Sequence, residues 1–284
     1  MTHDKKLLAL FGLKWNPFTS NIPVESLWTP PAFEAFFFRV ENLVLEGGFA
    51  MICAEPGLGK SKILQLISHR LSPLQGVSVG VMERPQSSLA DFYRELGAIF
   101  GVNLSPANRY GGFKALRERW LHHIKTALFR PVLLIDEAQE MVSPCLNEVR
   151  LLSSTHFDSQ CIRASILCGD TSLPERMRSE ELVSLGTRIR SRLILEPLCK
   201  EDLMAYLNHA LEQAAAQHLM TGPLKEALVE HCLGNLRVLN MMAAELLEIA
   251  AQRELPQLDE KLFLEFYSRQ PRTNKNPLLK GGRQ

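Results

Sequence analysis

Apolar positions in the first two thirds of the chain come in two alternating rhythms. Short compact runs, Phe49 to Ala54, Val77 to Met82, Val132 to Ile135 and Ala164 to Cys168, have the length of strands, and Leu193-Ile194-Leu195 is a fifth. Between them, Leu89 to Phe100 and Phe113 to Leu128 repeat apolar residues at spacings of three and four, the period of a helix with one buried face. Strand and helix in alternation predict a parallel sheet with crossover helices. From Lys200 the strand-like runs stop. Helical patterns follow over Lys200 to Gln217, Thr221 to Cys232 and Asn235 to Arg253, with a short one near Asp259 to Arg269. The expected organisation is an α/β domain over residues 1–199, a helical lid over 200–270 and a flexible tail over 271–284, where two prolines and two glycines accompany four basic residues and no acidic one.

Composition places the chain among globular proteins, with 46% hydrophobic and 22% charged residues. The 32 basic and 31 acidic side chains nearly cancel, so any contact with nucleic acid has to come from local clustering. Six cysteines, at 53, 145, 161, 168, 199 and 232, form no C-x-x-C pair and read as free thiols of a reducing compartment. Lys5 and Lys6 before Leu7 to Phe11 imitate a short signal peptide, but Lys14, Trp15 and Asn16 occupy the place of a cleavage site. No run approaches the roughly 18 apolar residues of a membrane span. The expected setting is cytoplasmic, without a membrane.

The chemistry starts where the first strand run ends. Ala54-Glu55-Pro56-Gly57-Leu58-Gly59-Lys60-Ser61 lies between a strand and the helix Ser61 to Leu71, the context of a phosphate-binding loop. Gly57 and Gly59 let backbone N–H groups approach phosphates at the positive end of that helix. In such a loop Lys60 reaches the β- and γ-phosphates of ATP and the Ser61 hydroxyl binds Mg²⁺. Ala54 departs from the pattern, which has glycine there; the Gly-Lys-Ser ending is intact. Val132 to Ile135 then delivers Asp136 and Glu137 at the C-terminal edge of a strand, where ligands bind in open α/β sheets. Asp136 is placed to hold Mg²⁺ and Glu137 to orient and deprotonate the attacking water. An acidic pair after a strand also serves as a helix N-cap; a preceding phosphate loop gives it the second role.

Arg188 and Arg192, in Leu185 to Arg192, precede the fifth strand run, from which an arginine can reach a neighbouring subunit's γ-phosphate; a solvated basic face is the alternative. Gly234-Asn235-Leu236-Arg237 opens a lid helix, so that Arg237 either touches the phosphates and couples lid angle to nucleotide state or lies on the surface behind a polar cap. Arg109, Lys114, Arg117 and Arg119, with Tyr110 among them, form the best local basic cluster for duplex phosphates, and read equally as a solvated helix face. Arg272, Lys275, Lys280 and Arg283 of the tail either contact DNA or a partner protein or remain free.

Together these residues resemble the AAA+ superfamily: a Walker A motif at 54–61, a Walker B motif at 132–137, an arginine finger at Arg188 or Arg192 and a sensor-2 arginine at Arg237. The resemblance places sensor 1 at Asp170, in Cys168-Gly169-Asp170-Thr171, where the superfamily usually has an uncharged polar residue. Phe11-Gly12-Leu13-Lys14-Trp15-Asn16-Pro17-Phe18, Asp136-Glu137-Ala138-Gln139 and Leu146 to Ser153 resemble the branch shared by ExeA-like secretion-pathway A proteins and transposon-encoded ATPases of the TniB and TnsC kind. The resemblance covers about residues 8 to 268 and implies that Pro17 and Phe18 help to form the adenine pocket.

Within that branch, secretion-pathway A proteins continue beyond the ATPase region into a membrane anchor and a cell-wall module, whereas this chain stops soon after its lid, as transposition helpers do. The implied function is an ATP-dependent regulator of DNA transposition. It would self-associate into a ring or helical filament on double-stranded DNA without reading sequence, and engage a transposase and a target-site adaptor. The alternative is a regulatory ATPase whose output is a protein contact.

Overall fold

The computed structural model describes residues 3–84, 87–104, 108–157 and 159–268. The expected tail, with Arg272, Lys275, Lys280 and Arg283, lies outside the described residues. In chain order the helices are α1 (His3–Phe11), α2 (Glu34–Glu46), α3 (Lys60–Leu71), α4 (Leu89–Phe100), α5 (Arg109–Ala127), α6 (Ser143–Ser153), α7 (Leu173–Arg176), α8 (Val183–Gly186), α9 (Lys200–Gln213), α10 (Gly222–His231), α11 (Leu236–Gln252) and α12 (Glu260–Ser268). The principal strands are β1 (Gly48–Ala54), β2 (Val79–Met82), β3 (Val132–Ile135), β4 (Ala164–Gly169) and β5 (Ile189–Leu195), and a small antiparallel pair joins Ser154–Thr155 to Gln160–Cys161. No helix among the described residues is long and apolar enough to cross a membrane.

Two compact units share these elements. Of the described residues, the α/β unit holds those within 23–202 and 234–237, and the helical unit those within 3–22, 203–233 and 238–268. Sequence periodicity alone puts the first residues and the Gly234–Arg237 segment in the opposite units, because neither segment carries a strand pattern or a long helix to mark its allegiance.

In the α/β unit the five strands are all parallel, in the order β2-β3-β4-β1-β5. The chain steps outward from β1 to β2, returns through β3 and β4, and then passes over β1 to reach β5. The C-terminal ends of β1 and β4 therefore flank the point where strand order reverses, the place where open α/β sheets bind ligands. Apolar side chains cover both faces of the central strands, so β1 and β3 read as unbroken apolar runs and β4 as one interrupted only by Ser165. Phe49, Met51, Leu133, Ile135 and Leu167 point to one face, where they pack with Phe92, Trp120, Leu146 and Val149 of α4, α5 and α6. Ala50, Ile52, Val132, Leu134 and Ile166 point to the other, against Phe36, Phe37 and Val40 of α2 and Ile63 and Ile67 of α3.

Local chemistry sets the helix starts. Ser88 caps α4, its Oγ accepting from the Asp91 N–H at 3.2 Å. Asn108 caps α5, its Oδ1 accepting from the Gly111 N–H at 2.8 Å, so that helix begins four residues before the apolar period does. Strand β5 likewise starts earlier than Leu193. Its register against β1 shifts between Phe49 and Ala50, and buried Ile189 and Ser191 alternate with exposed Arg190 and Arg192.

The C-terminal end of α6 is held by two arginines. Arg117 donates to the carbonyls of Leu152 at 3.0 Å and of Ser154. Arg163, fully buried, donates to Val149 O at 3.0 Å and to Ser165 Oγ at 3.1 Å, and its guanidinium lies 4.6 Å from the centre of the Trp120 ring. Burial pulls the Arg163 guanidinium down to about 9, which leaves it charged at neutral pH. Cations at this end also complement the helix dipole.

The helical unit buries Leu7, Phe11, Leu13, Leu207, Leu211, Leu228, Leu246 and Phe263. Lys14 N–H donates to Ala214 O at 3.1 Å, tying the first segment to the residues after α9. Tyr206 and Asn240 exchange hydrogen bonds, Tyr267 donates to Glu245 at 2.7 Å, and Arg253 pairs with Glu265 at 2.8 Å. Pro17 and Phe18 are buried in this unit, in a turn closed by Asn16, whose Oδ1 accepts from the Phe18 N–H at 3.0 Å.

Candidate nucleotide site

Strand β1 ends at Ala54, and the loop over residues 55–59 leads into α3. Gly57 and Gly59 have φ of +93° and +98°, and Gly59 is the left-handed N-cap of α3. Ala54 is the last residue of β1, fully buried, and is absent from the positive-φ positions, so its methyl group packs in the core and demands no glycine. Glu55 and Pro56 are exposed and Leu58 is buried, anchoring the loop. The Lys60 side chain is buried and its Nζ donates to Ala54 O at 3.0 Å. A buried ammonium with a single carbonyl partner keeps two donors in hand for an anion.

The acidic half lies at the same end of the sheet. The Ser61 hydroxyl donates to Asp136 Oδ2 at 3.3 Å, joining the start of α3 to the end of β3. Two hard oxygens at that separation, beside a phosphate cradle, form the donor set that Mg²⁺ takes. Asp136 Oδ1 accepts from the Glu137 N–H at 2.9 Å. Glu137 itself stands in the left-handed region, φ +49° and ψ +41°, a conformation that costs a non-glycine residue energy and that clusters at functional sites.

Strand β4 runs between these halves. Its last residue, Gly169, pairs with Cys53, and Asp170 follows. Asp170 Oδ1 accepts from the hydroxyl and the N–H of Ser172, the latter at 2.9 Å, and the Ser172 hydroxyl holds this carboxyl below the usual carboxylate range. Asp170 thus caps the turn that follows it. The Cys53 and Cys168 thiols beneath the site are pushed up by burial, Cys53 to about 11.

The structure also brings in residues that sequence reasoning passed over. The Asn235 side chain donates to Pro56 O at 3.1 Å and accepts from the Arg237 N–H at 3.0 Å, and that same N–H lies 3.1 Å from Gly57 O. The Gly234–Arg237 segment therefore clasps the crest of the phosphate loop with its backbone and Asn235, while the Arg237 side chain is exposed. A Cβ on Gly57 would lie 2.4 Å from Asn235 Oδ1, which is why this position takes glycine. Gln139 and Arg176 belong to the acidic half. Of the two finger candidates, Arg188 donates to Ser184 O within α8, and exposed Arg192 reaches Gly186 O, at the end of that helix, at 3.3 Å.

The basic cluster on α5 is differently employed. Arg109 binds the carboxylate of Glu148, with its Nη2 2.5 Å from Oε2, and the Tyr93 hydroxyl donates to the same carboxylate. Glu148 is almost wholly buried, and its hydrogen bond raises the Arg109 guanidinium above its ordinary value. Arg117 is spent on the end of α6. Lys114 lies 3.8 Å from Glu118, and Arg119 is exposed.

A sequence model of the family described as "AAA domain" matches residues 44–177, which include β1, the phosphate loop, β3 and β4. General secretion pathway protein A of Aeromonas hydrophila is 28% identical over 248 residues, covering 86% of this chain; the chain spans 44% of the length of that relative. Among solved structures, the Aeropyrum pernix ORC2 protein in its ADPNP–ADP complexes superposes with a TM-score of 0.66 at 15% identity, over 90% of this chain and 72% of that one. Drosophila ORC bound to DNA gives 0.64 at 14% identity over 93% and 67%, and the Aeropyrum pernix ORC1 protein in complex with DNA gives 0.62 at 18% over 89% and 68%. Residues 44–177 thus match the AAA domain model, in a chain that has the fold of the AAA+ P-loop NTPases and is similar in sequence to the secretion-pathway A protein.

Proposed function

We propose that the chain binds ATP with Mg²⁺ and hydrolyses it, and uses the change to regulate DNA transposition from a multi-subunit assembly on double-stranded DNA. The observation that carries the hydrolytic part is the convergence of Lys60, Ser61, Asp136 and Glu137 at the point where strand order reverses. Lys60 and the loop N–H groups bind the phosphates, Ser61 and Asp136 hold the cation, and Glu137 takes the proton of the attacking water. Mg²⁺, when bound, supplies neutralisation of charge on the phosphate oxygens. Arg188 or Arg192 of an adjacent subunit completes the site.

Support for a DNA output comes from the fold shared with Drosophila ORC and Aeropyrum pernix ORC1, both solved with DNA. The transposase and a target-site adaptor are the partners of this reading, and the cytoplasm its setting. A second reading, a switch that acts through a protein contact, is favoured by the relation to General secretion pathway protein A and by the internal commitments of Arg109 and Arg117. ATP turnover and particle size, measured together with and without random-sequence duplex at low and moderate salt, separate the two. Assembly and altered turnover on DNA that fade as salt rises support the transposition reading. Turnover indifferent to DNA leaves the protein switch.

A further inference from the structure

Gln139 sits two residues beyond the proposed base, in the short 3₁₀ helix Ala138–Glu140, and its side chain is bonded at both ends. Its Nε2 donates to Glu137 Oε2 at 2.6 Å and its Oε1 accepts from the Asp170 N–H at 3.1 Å. Its backbone is fixed as well, because the Arg176 guanidinium donates to the carbonyls of Gln139 and, at 2.8 Å, Met141. Gly169 makes room for this arrangement: a Cβ there would lie 2.6 Å from Gln139 Oε1. One amide thus spans the ends of β3 and β4 and grips one oxygen of a glutamate whose backbone is in the left-handed region.

We propose that Gln139 is a positioning residue for hydrolysis, which ties Glu137 to the end of β4 and leaves Glu137 Oε1 to face the attacking water. This rests on the reading of Glu137 as the base. A general base works only if its free oxygen is held in line, and an unrestrained glutamate has three side-chain torsions to fix. The amide fixes them through Oε2 and takes its own orientation from the Asp170 N–H. That N–H ends the strand whose loop carries the Asp170 carboxylate, so a displacement at either strand end reaches the base through a single side chain.

Two substitutions separate the two bonds. Gln139→Leu removes both; Gln139→Glu keeps an acceptor for the Asp170 N–H but replaces the donor facing Glu137 with a like charge. Turnover, the dissociation constant of a fluorescent ATP analogue, and amide exchange of the peptide spanning Gly169–Ser172 in nucleotide-free protein are measured for the parent and both variants. The expected result is kcat reduced about 10- to 100-fold in both, the range for losing a group that orients a reacting one. Analogue binding should stay within about twofold of the parent, and exchange should quicken in the leucine variant alone. Parental kcat in either variant overturns the proposal while leaving the hydrolytic reading intact. Loss of analogue binding in step with turnover also overturns it, because that is a merely structural role. A parent that binds the analogue but never turns over ATP removes the hydrolytic reading, and the proposal with it.

Discussion

Replacing Gly57 with alanine tests the clasp between the Gly234–Arg237 segment and the phosphate loop. At φ +93° the added Cβ is strained on backbone grounds by roughly 1–2 kcal/mol. It would also lie 2.4 Å from Asn235 Oδ1 and 2.8 Å from its Nδ2, so the asparagine must turn away and give up its bonds to Pro56 O and the Arg237 N–H. Each is worth about 1 kcal/mol, which brings the expected loss to roughly 3–4 kcal/mol, or about 10 °C in Tm for a unit of this size. The assay is thermal unfolding without nucleotide, arranged as a double-mutant cycle with Asn235→Ala. In the Asn235→Ala background the clash with Asn235 is gone, and what remains is the backbone strain of roughly 1–2 kcal/mol and a tight approach of 3.0 Å to the Arg237 Cβ. Equal costs of Gly57→Ala in the two backgrounds would refute the clasp.

Lys60→Ala should weaken ATP binding on the order of 100-fold by equilibrium titration, since a charge-assisted partner of the phosphates is lost. Glu137→Gln should bind ATP at parental affinity but turn it over about 10²- to 10⁴-fold more slowly, and equal turnover would exclude its role as base. Arg188→Ala should lower turnover at least about 10³-fold while leaving ATP affinity of dilute subunits unchanged; a matching loss of affinity would argue against action on a neighbour's nucleotide. Asp170 has its carboxyl held low by Ser172, so its stabilising contribution is present above the unfolded value and disappears as pH falls through the folded one. Asp170→Asn should accordingly lose less stability than the parent between about pH 5 and pH 3 in denaturant titrations, and parallel curves would contradict that.

The parallel sheet was readable because its central strands β1 and β3 are unbroken apolar runs, and the phosphate loop because its chemistry is local. The same locality explains what escaped. Arg109 and Arg117 look like a basic helix face in one dimension, yet Arg109 finds Glu148 and Tyr93, and Arg117 finds the end of α6, only after the chain has folded. Asn235 meets Pro56, and Gln139 meets Asp170, across separations of 179 and 31 residues. Two further signals were local and available: Asn108 three residues before Gly111 marks the start of α5, and the period-two pattern from Ile189 marks the start of β5.

The division into units carries a consequence for biosynthesis. The polypeptide passes from one unit to the other after Ile22, Asp202, Leu233 and Arg237, so neither unit is a continuous stretch that a single truncation could release. Leu7, Phe11 and Leu13 leave the ribosome long before Leu207, Leu211 or the Ala214 carbonyl that receives Lys14. Throughout that interval an apolar segment waits without its partners, while the intervening sheet is free to form. Such high-contact-order assembly is slow and leaves the nascent chain open to misassociation.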